Sequence, residues 1–247
     1  MEEVVTYLKK IESHTKKKEA FHIIQSANSS KITTFFDPPL VFDDECKYEI
    51  SLLGLESYYS FPNVGPHNNK IKFNDQIIAL ETGCYELVNL NKEIKRLITE
   101  GGGDGNSINF EANKNTFKSI LTITEGTVDF TIKDSLRELL GFDAKIYKKG
   151  RHVSEHVVNI MSVNSILLHC DIISGSYVNG AERPVIFSFF PAVSPGQKIV
   201  LTPRSLIYLP LTVQRVSRIT SWLTDQNSKE LDLRGEELTI KYHIKPC

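Results

Sequence analysis

Residues 47–52 read Lys-Tyr-Glu-Ile-Ser-Leu, and the period of this stretch decides the fold class. Its apolar side chains, Tyr48, Ile50 and Leu52, alternate with polar ones. Because successive residues of a β-strand point to opposite faces of the sheet, this alternation predicts a half-buried strand. Short stretches with turn residues between them recur to the end of the chain. They predict strands at 31–36, 71–73, 77–80, 107–111, 117–124, 127–132, 165–173, 184–190, 206–211, 216–224 and 238–244.

Turn chemistry sets the ends of several of these strands. Pro38-Pro39 cannot donate to a ladder and should end the first strand. Glu125-Gly126 has the composition of a tight turn and should join its two neighbouring strands as a hairpin. The polar loop 225–232 predicts that the last two strands also form a hairpin.

Helical spacing is limited to two internal stretches. Residues 86–98 carry a one-sided apolar stripe, which needs a partner surface, so this helix should cover a sheet edge or one end of the fold. Residues 135–140 predict one or two further turns that end at Gly141. With about ten strands and no repeating strand–helix–strand unit, the chain is predicted to be an all-β sandwich or barrel with one or two short peripheral helices.

The N-terminal residues have a different pattern. Val4, Tyr7, Leu8 and Ile11 share one face, and this predicts a short amphipathic helix within 3–18. The basic run that follows this stripe is interpreted as the solvated end of the helix. We therefore expect residues 1–30 to form an arm outside a main domain of residues 31–247.

Composition excludes several function classes. The chain has 247 residues, with 29 Lys and Arg against 30 Asp and Glu, so its net charge is -1. A near-neutral balance gives no long-range field that would draw the protein to nucleic acid or to an acidic membrane. The longest apolar runs are a few residues, far below the roughly 20 that span a bilayer. Neither direct nucleic-acid recognition nor membrane insertion is expected.

Four cysteines lie far apart in the sequence, at 46, 84, 170 and 247. They form no C-x-x-C pair, which argues against a zinc knuckle or a small disulfide framework and favours a reducing compartment. The first residues are acidic and include no apolar segment of the kind found in secretion signals, so none is expected.

The sharpest catalytic motif is His152-Val-Ser-Glu155-His156, which fits the H-x-x-E-H pattern of inverted zinc proteases. That chemistry needs a helix, because helical spacing brings both imidazoles to one metal while the glutamate faces the bound water. Here Gly150 precedes the motif and the neighbouring valines are β-branched. Residues 143–156 are therefore interpreted as a basic exposed loop, and no metal is expected.

Other catalytic patterns are weaker. The chain has no G-x-S-x-G nucleophile elbow, and the glycine run at 101–105 lacks the Lys-Ser/Thr of a P-loop. Trp222 lies in a predicted strand, where a core or interface position is the commoner role. No enzymatic activity and no cofactor are expected.

Several segments resemble the minor capsid protein of Polinton (Maverick) elements, which are self-synthesising DNA transposons with virus-like capsid genes. They occur in order from Phe35 to Pro246. They read FFDPPLVF, CKYEISLLGLESYYSFPNV, NNKIKF, ALETGCYELVNLNKEI, SLRELLGF, LLHCDIISGSYVNG, LIYLPL and ITSWLTDQNSKELDLRGEELTIKYHIKP.

The resemblance implies a single jelly roll of the penton type, with two four-stranded antiparallel sheets. It also implies a homopentamer at the vertices of an icosahedral capsid, beside the major capsid protein of the same element. The protein would be made in the cytoplasm, assembled inside the cell and found in virions. The family accounts for the lack of catalytic residues in the sequence.

Two other classes of function stay open at this point. A jelly roll that binds carbohydrate or peptide would need an exposed aromatic cluster, for which Tyr58, Tyr59 and Phe61 are the candidates. A zinc-dependent hydrolase would use His152 and His156 as ligands and Glu155 as the base.

A pentamer requires contact surfaces, and long loops are the candidates to supply them. The loop predicted at 143–159 is one. The other spans 191–204 and carries apolar residues that should be exposed. The interface residues predicted from it are Val193, Pro195, Ile199 and Val200.

Overall fold

The computed structural model describes residues 16–17, 19–43, 45–160 and 163–247. The strands are β1 (Lys16–Lys17), β2 (Phe21–Ala27), β3 (Lys31–Phe42), β4 (Tyr48–Tyr58), β5 (Lys70–Phe73), β6 (Gln76–Ala79), β7 (Ile108–Asn113), β8 (Lys118–Asp129), β9 (Ile146–Val157), β10 (Ile166–Cys170), β11 (Tyr177–Val178), β12 (Ala181–Glu182), β13 (Val185–Phe189), β14 (Lys198–Leu201), β15 (Leu209–Pro210), β16 (Arg215–Thr224) and β17 (Leu238–Pro246). The helices are α1 (Leu87–Glu100) and α2 (Arg137–Leu140), with a 3-10 turn at Gly105–Ser107.

The chain forms two compact units. Unit 1 contains the described residues up to Tyr59 together with Val163–Cys247, and unit 2 contains residues 60–160. In the sequence, unit 2 is thus an insertion between β4 and β10. The sequence predicted one main domain over residues 31–247 with loop insertions, whereas residues 60–160 form a second unit with its own core.

Strand order identifies the architecture of unit 1. Its eight main strands, numbered along the chain, are β2, β3, β4, β10, β13, β14, β16 and β17. Sheet 1 has the order β14-β4-β17-β2, which is 6-3-8-1, and sheet 2 has the order β3-β16-β10-β13, which is 2-7-4-5. All pairs among these eight strands are antiparallel. Two interleaved Greek keys of eight strands form a jelly roll, so the predicted fold class is confirmed.

Strand β17 shows why the sequence forms this sheet. Leu238, Ile240, Tyr242 and Ile244 are fully buried, and the residues between them are partly exposed. Burial of every second side chain stabilises a strand whose other face meets solvent. The alternation that was expected over 238–244 is therefore confirmed.

A buried polar cluster links the two sheets of unit 1. Gln25 of sheet 1 donates from Nε2 to the carbonyl of Ile219 at 3.1 Å and to Thr34 Oγ1 at 2.9 Å. Its Oε1 accepts from Ser221 Oγ at 2.7 Å, and Ser221 Oγ lies 2.8 Å from Tyr242 Oη. Because Gln25 is buried, these bonds replace the water it would otherwise need.

Gln25→Ala is expected to lower the free energy of unfolding by roughly 3 kcal/mol, because it leaves the carbonyl of Ile219 and the hydroxyl of Ser221 with fewer partners in the core. Urea unfolding measures the difference. Gln214→Ala, the same substitution at an exposed residue of unit 1, is the matched control and should change stability by less than about 0.5 kcal/mol. Equal losses in the two variants would contradict the role of the cluster.

Three expectations for unit 1 are wrong. Strand β2 pairs with β17 along its length, so residues 21–27 belong to sheet 1 and not to an arm ending at residue 30. Strand β3 continues through Pro38-Pro39, because these prolines lie opposite a register shift of β16, where ladder bonds are interrupted. Strands β16 and β17 lie in different sheets, so they form no hairpin.

The helix predicted within 3–18 lies outside the described residues except for its last part. There Lys16 and Lys17 form β1, which pairs in parallel with Val41 and Phe42 of β3. The basic run is therefore not the end of a helix at these two positions. No helix among the described residues is long and apolar enough to cross a membrane.

Unit 2 is a five-stranded antiparallel sheet with α1 packed on it. One edge of β8 pairs with β7 and β5, its other edge pairs with β9, and β6 extends the sheet beyond β5. The buried side chains of α1 are Leu87, Leu90, Ile94 and Ile98. They join one apolar cluster with residues of β5–β8 and α2. The helix was predicted correctly, but the surface it covers is the sheet of unit 2 and not an edge or end of the sandwich.

Strand β8 replaces the predicted hairpin at Glu125-Gly126. Its register against β9 shifts between Ile123 and Thr127, so the glycine lies at a bulge within one continuous strand. Gly126 has φ +86°, and a Cβ there would lie 2.4 Å from Asn74 Oδ1. Glycine is therefore required by both backbone conformation and space.

Candidate functional site

The H-x-x-E-H motif lies in β9 and not in a helix or a loop. Residues four apart on a strand are separated by about 13 Å, so the two imidazoles cannot share a metal through regular spacing. His152 Nε2 lies 2.7 Å from the carbonyl of Lys148, and His156 Nε2 lies 3.1 Å from Asp143 Oδ1. In the part of the chain that the structure describes, no three His, Cys, Asp or Glu side chains form a group that could hold a metal. The geometry that the hydrolase alternative needs is not found here.

The contacts of Glu155 are those of a carboxylate with a structural role and not those of a catalytic base. Its carboxylate accepts from Lys145 Nζ, from Tyr147 Oη at 2.8 Å and from the backbone N–H of Asp143 at 3.1 Å. Partial burial alone would raise the pKa of this carboxyl group, but these donors hold it at about 2. Glu155 is thus a fixed anion that ties β9 to the preceding segment.

Glu155→Gln should destabilise the protein by about 2 kcal/mol at pH 7, because the folded state holds the charged form more tightly than the unfolded state does. The pKa is lowered on folding, so this stability is present above the unfolded pKa near 4.5 and is lost as pH falls towards 2. Thermal unfolding of both proteins from pH 7 to pH 2 measures it. A difference that stays constant across this range would contradict the assignment.

The aromatic cluster that a carbohydrate- or peptide-binding jelly roll would need is not exposed. Tyr59 and Phe61 are buried, and only Tyr58 of the three candidates reaches solvent. The feature that would have favoured this alternative is therefore absent at these positions.

The predicted interface residues differ in how far their side chains are exposed to solvent. Val200 is 66% exposed and Pro195 is exposed, but Val193 is only partly exposed and Ile199 is 5% exposed. Successive side chains of β14 point to opposite faces, so Ile199 belongs to the core of unit 1 when Val200 faces out. The expectation that Ile199 is an exposed contact residue is wrong, and the contact roles of the other three stay predictions.

A continuous surface runs along one edge of sheet 1. Strands β14 and β15 both pair with the same edge of β4, at residues 55–58 and 49–50, so the segment 198–210 follows that edge. We name this segment the β14 flank. Its exposed apolar side chains are Val200, Leu206 and Ile207, and among the described residues no strand pairs with its outer edge.

Charged groups lie beside this apolar surface. Glu56 accepts from Lys198 Nζ at 2.8 Å and from Lys241 Nζ at 2.6 Å. These hydrogen bonds lower the pKa of Glu56 to about 2. Val200 lies directly across from Glu56 in the ladder. An exposed apolar patch with a charged rim is typical of an interaction surface.

The opposite edges of the two sheets also expose apolar residues. Ile24 is on β2 at the far edge of sheet 1, and Phe35 is on β3 of sheet 2, in the part of β3 that β1 does not cover. We name this pair of residues the β2–β3 flank. Because three strand spacings separate β14 from β2 within sheet 1, the two flanks are different surfaces of one unit.

Comparisons with known proteins give a likeness to solved structures and none to curated sequences. No protein-family model matches the sequence, and no curated protein is similar to it. Among solved structures, the chain is similar to the selenomethionine-labelled mavirus penton protein, with 12% sequence identity and a TM-score of 0.49. The similarity covers 93% of this chain and 100% of the other.

The sequence contained only part of the signal for the flanks. Leu206 and Ile207 were assigned to a strand over 206–211. In the structure only Leu209–Pro210 pairs with a neighbouring strand, and the side chains of Leu206 and Ile207 are exposed. Phe35 was assigned to a strand without any indication of its face. Alternation shows that one face is buried, and the strand order, which sequence does not show, determines which residues reach an edge.

Proposed function

We propose that this chain is a minor capsid protein of the penton type, which assembles as a homopentamer at capsid vertices beside the major capsid protein of a Polinton-like element. The observation that carries the proposal is the strand order of unit 1, because the eight-stranded jelly roll is a recurrent fold of viral capsid domains. A fold alone hosts several functions, so the sequence resemblance is needed to choose among them.

The resembling segments support the proposal through their positions. FFDPPLVF lies in β3, CKYEISLLGLESYYSFPNV begins just before β4, and ITSWLTDQNSKELDLRGEELTIKYHIKP extends from β16 to β17. They thus occupy strands from both sheets of the jelly roll. A resemblance confined to one hairpin would not select the whole fold in this way.

The β14 flank and the β2–β3 flank are different surfaces, as a closed ring of identical copies requires. In a cyclic assembly of identical chains, each copy presents one surface to the next copy and a different surface to the preceding one. We assign the β14 flank to one side of this contact and the β2–β3 flank to the other. Both flanks expose large apolar side chains, which a contact between copies would remove from water.

Sedimentation velocity of the full chain at micromolar concentration tests the oligomer. A species of ~140 kDa, five times the 28.0 kDa chain, is expected for a ring of five. A protein that sediments only as a monomer would contradict the homopentamer.

Co-expression with the major capsid protein of a Polinton-like element tests the capsid role. The chain should then appear in virus-sized particles and occupy their five-fold vertices in electron micrographs. Particles that form without the chain and exclude it would contradict the proposal.

A further inference from the structure

A concave pocket of about 460 Å³ lies on unit 2 along β9. Its wall consists of residues 145–148, residues 151–153 and Glu155. None of the residues assigned to the flanks lines it. The pocket has the size of a site for a small molecule.

The backbone of β9 is irregular beside this pocket. Opposite Lys149, β8 carries the bulge at 124–126, and Gly150 has φ +143°. The ring of His152 folds back so that Nε2 lies 2.7 Å from the carbonyl of Lys148 and the ring lies 5.2 Å from that of Tyr147. A carbonyl only accepts, so Nε2 carries the hydrogen, and the bond fixes the ring of His152 against the backbone of Lys148.

Charge in the pocket is unbalanced. Lys145 is paired with Glu155. In contrast, Lys148 and Arg151 are exposed, and neither has a carboxylate within ion-pair distance among the residues that the structure describes. Two cations therefore lie on one concave wall without partners, and an anion placed there would be attracted by both.

We propose that this pocket binds a short anionic saccharide. Arg151 and Lys148 hold a sulfate or carboxylate group, for which the planar guanidinium can supply two parallel hydrogen bonds. The exposed side chains of Ile146 and Val153, which line the pocket, pack against the apolar face of a sugar ring. The carboxylate of Glu155, which is held by Lys145, Tyr147 and the backbone N–H of Asp143, forms a fixed part of the same wall.

The same features disfavour nucleic acid as the ligand. A phosphodiester strand is bound by several cations that follow its backbone and by aromatic side chains on which bases stack. This pocket offers two unpaired cations and a fixed carboxylate; the ring of Tyr147 is buried, and the ring of His152 is held against the carbonyl of Lys148. The lysines of β9 have a second possible role, because lysine on an edge strand prevents pairing with the sheet of another molecule. That role would not require a concave wall.

Isothermal titration calorimetry with the full-length protein tests the proposal. The probes are a heparin-derived sulfated tetrasaccharide, its desulfated counterpart, sialyllactose and a 12-base-pair DNA duplex. Arg151→Ala and Lys148→Ala should each weaken binding of the anionic saccharide ~10-fold or more, because each removes a charge-assisted hydrogen bond. Lys149→Ala removes the same charge from the next residue of the strand, outside the pocket lining, and should change affinity less than about twofold.

Each outcome supports or overturns the proposal. Binding of the sulfated tetrasaccharide or of sialyllactose that depends on Arg151 supports it and identifies the anionic group. No binding of either saccharide at millimolar concentration overturns it. Equal weakening by Lys149→Ala, or equal affinity for the DNA duplex, also overturns it, because diffuse electrostatic attraction would then suffice. The inference does not depend on the capsid role, and sedimentation of Arg151→Ala should match that of the parent protein.

Discussion

Replacing Ile94 with aspartate should unfold unit 2. Ile94 is completely buried on α1 and packs in the apolar cluster of that unit. An unpaired carboxylate there, together with the lost apolar contact, costs on the order of 5 kcal/mol or more. A domain of this size has a total stability of only about 5–15 kcal/mol, so the loss removes most of it.

Hydrogen exchange read by mass spectrometry locates this effect within the chain. Peptides from residues 60–160 should lose protection in Ile94→Asp. Val88→Asp is the matched control, because Val88 lies on the same helix and is 62% exposed, and it should change stability by less than about 0.5 kcal/mol. Parent-like protection in Ile94→Asp would contradict the packing described for α1.

Local periodicity accounts for what the sequence predicted correctly. The stripe on α1 and the alternation on β4 and β17 are properties of a few neighbouring residues, so they are visible without knowledge of the fold. The bounds of α1 and β17 differ from the expected ones by at most two residues, whereas β4 continues to Tyr58, beyond the stretch 47–52. The position of α1 on the sheet of unit 2 was missed, because an apolar stripe shows that a partner exists without identifying it.

The wrong expectations concern pairing between distant residues. The polar loop 225–232 fits a hairpin, but β17 pairs with β2 and β4, which lie far away in the sequence. Residues of strand β9 were assigned to a loop because of Gly150 and the basic residues around it. The structure buries only Tyr147 and Ser154 of this strand, so it has no continuous apolar face that the sequence could show. Its strand conformation depends on hydrogen bonds to β8.

The same contrast between local pattern and long-range pairing applies to the candidate contact surface and to the pocket. Apolar residues in the segment 191–204 were identified, but which of them face outward depends on the register of β14. A shift of one residue moves every side chain of a strand to the other face. Sequence alone could not decide between Ile199 and Val200 for this reason. The basic residues of the pocket were visible in the sequence, whereas the irregular pairing of β9 with β8 between Lys148 and Gly150 was not.

Lysine at Val200 on the β14 flank, or at Phe35 on the β2–β3 flank, should abolish the ~140 kDa species and leave a folded monomer. A charge in an apolar contact must be desolvated without a partner, which costs about 2–4 kcal/mol and weakens each contact on the order of 100-fold. Both residues are exposed, so the fold should be preserved, as β-sheet circular dichroism would show. Tyr177→Lys, at an exposed residue of β11 outside both flanks, is the control and should still form the ring.

Mixing the two variants tests whether the contact is head to tail. A Phe35→Lys copy keeps an intact β14 flank, and a Val200→Lys copy keeps an intact β2–β3 flank. If one flank contacts the other, the mixture should form a heterodimer of ~56 kDa with a single intact contact and no larger species, because each remaining flank is altered. A contact between identical flanks predicts instead that each variant alone forms a dimer through its unaltered flank. Rings that persist in either variant would show that the altered flank is not the contact surface.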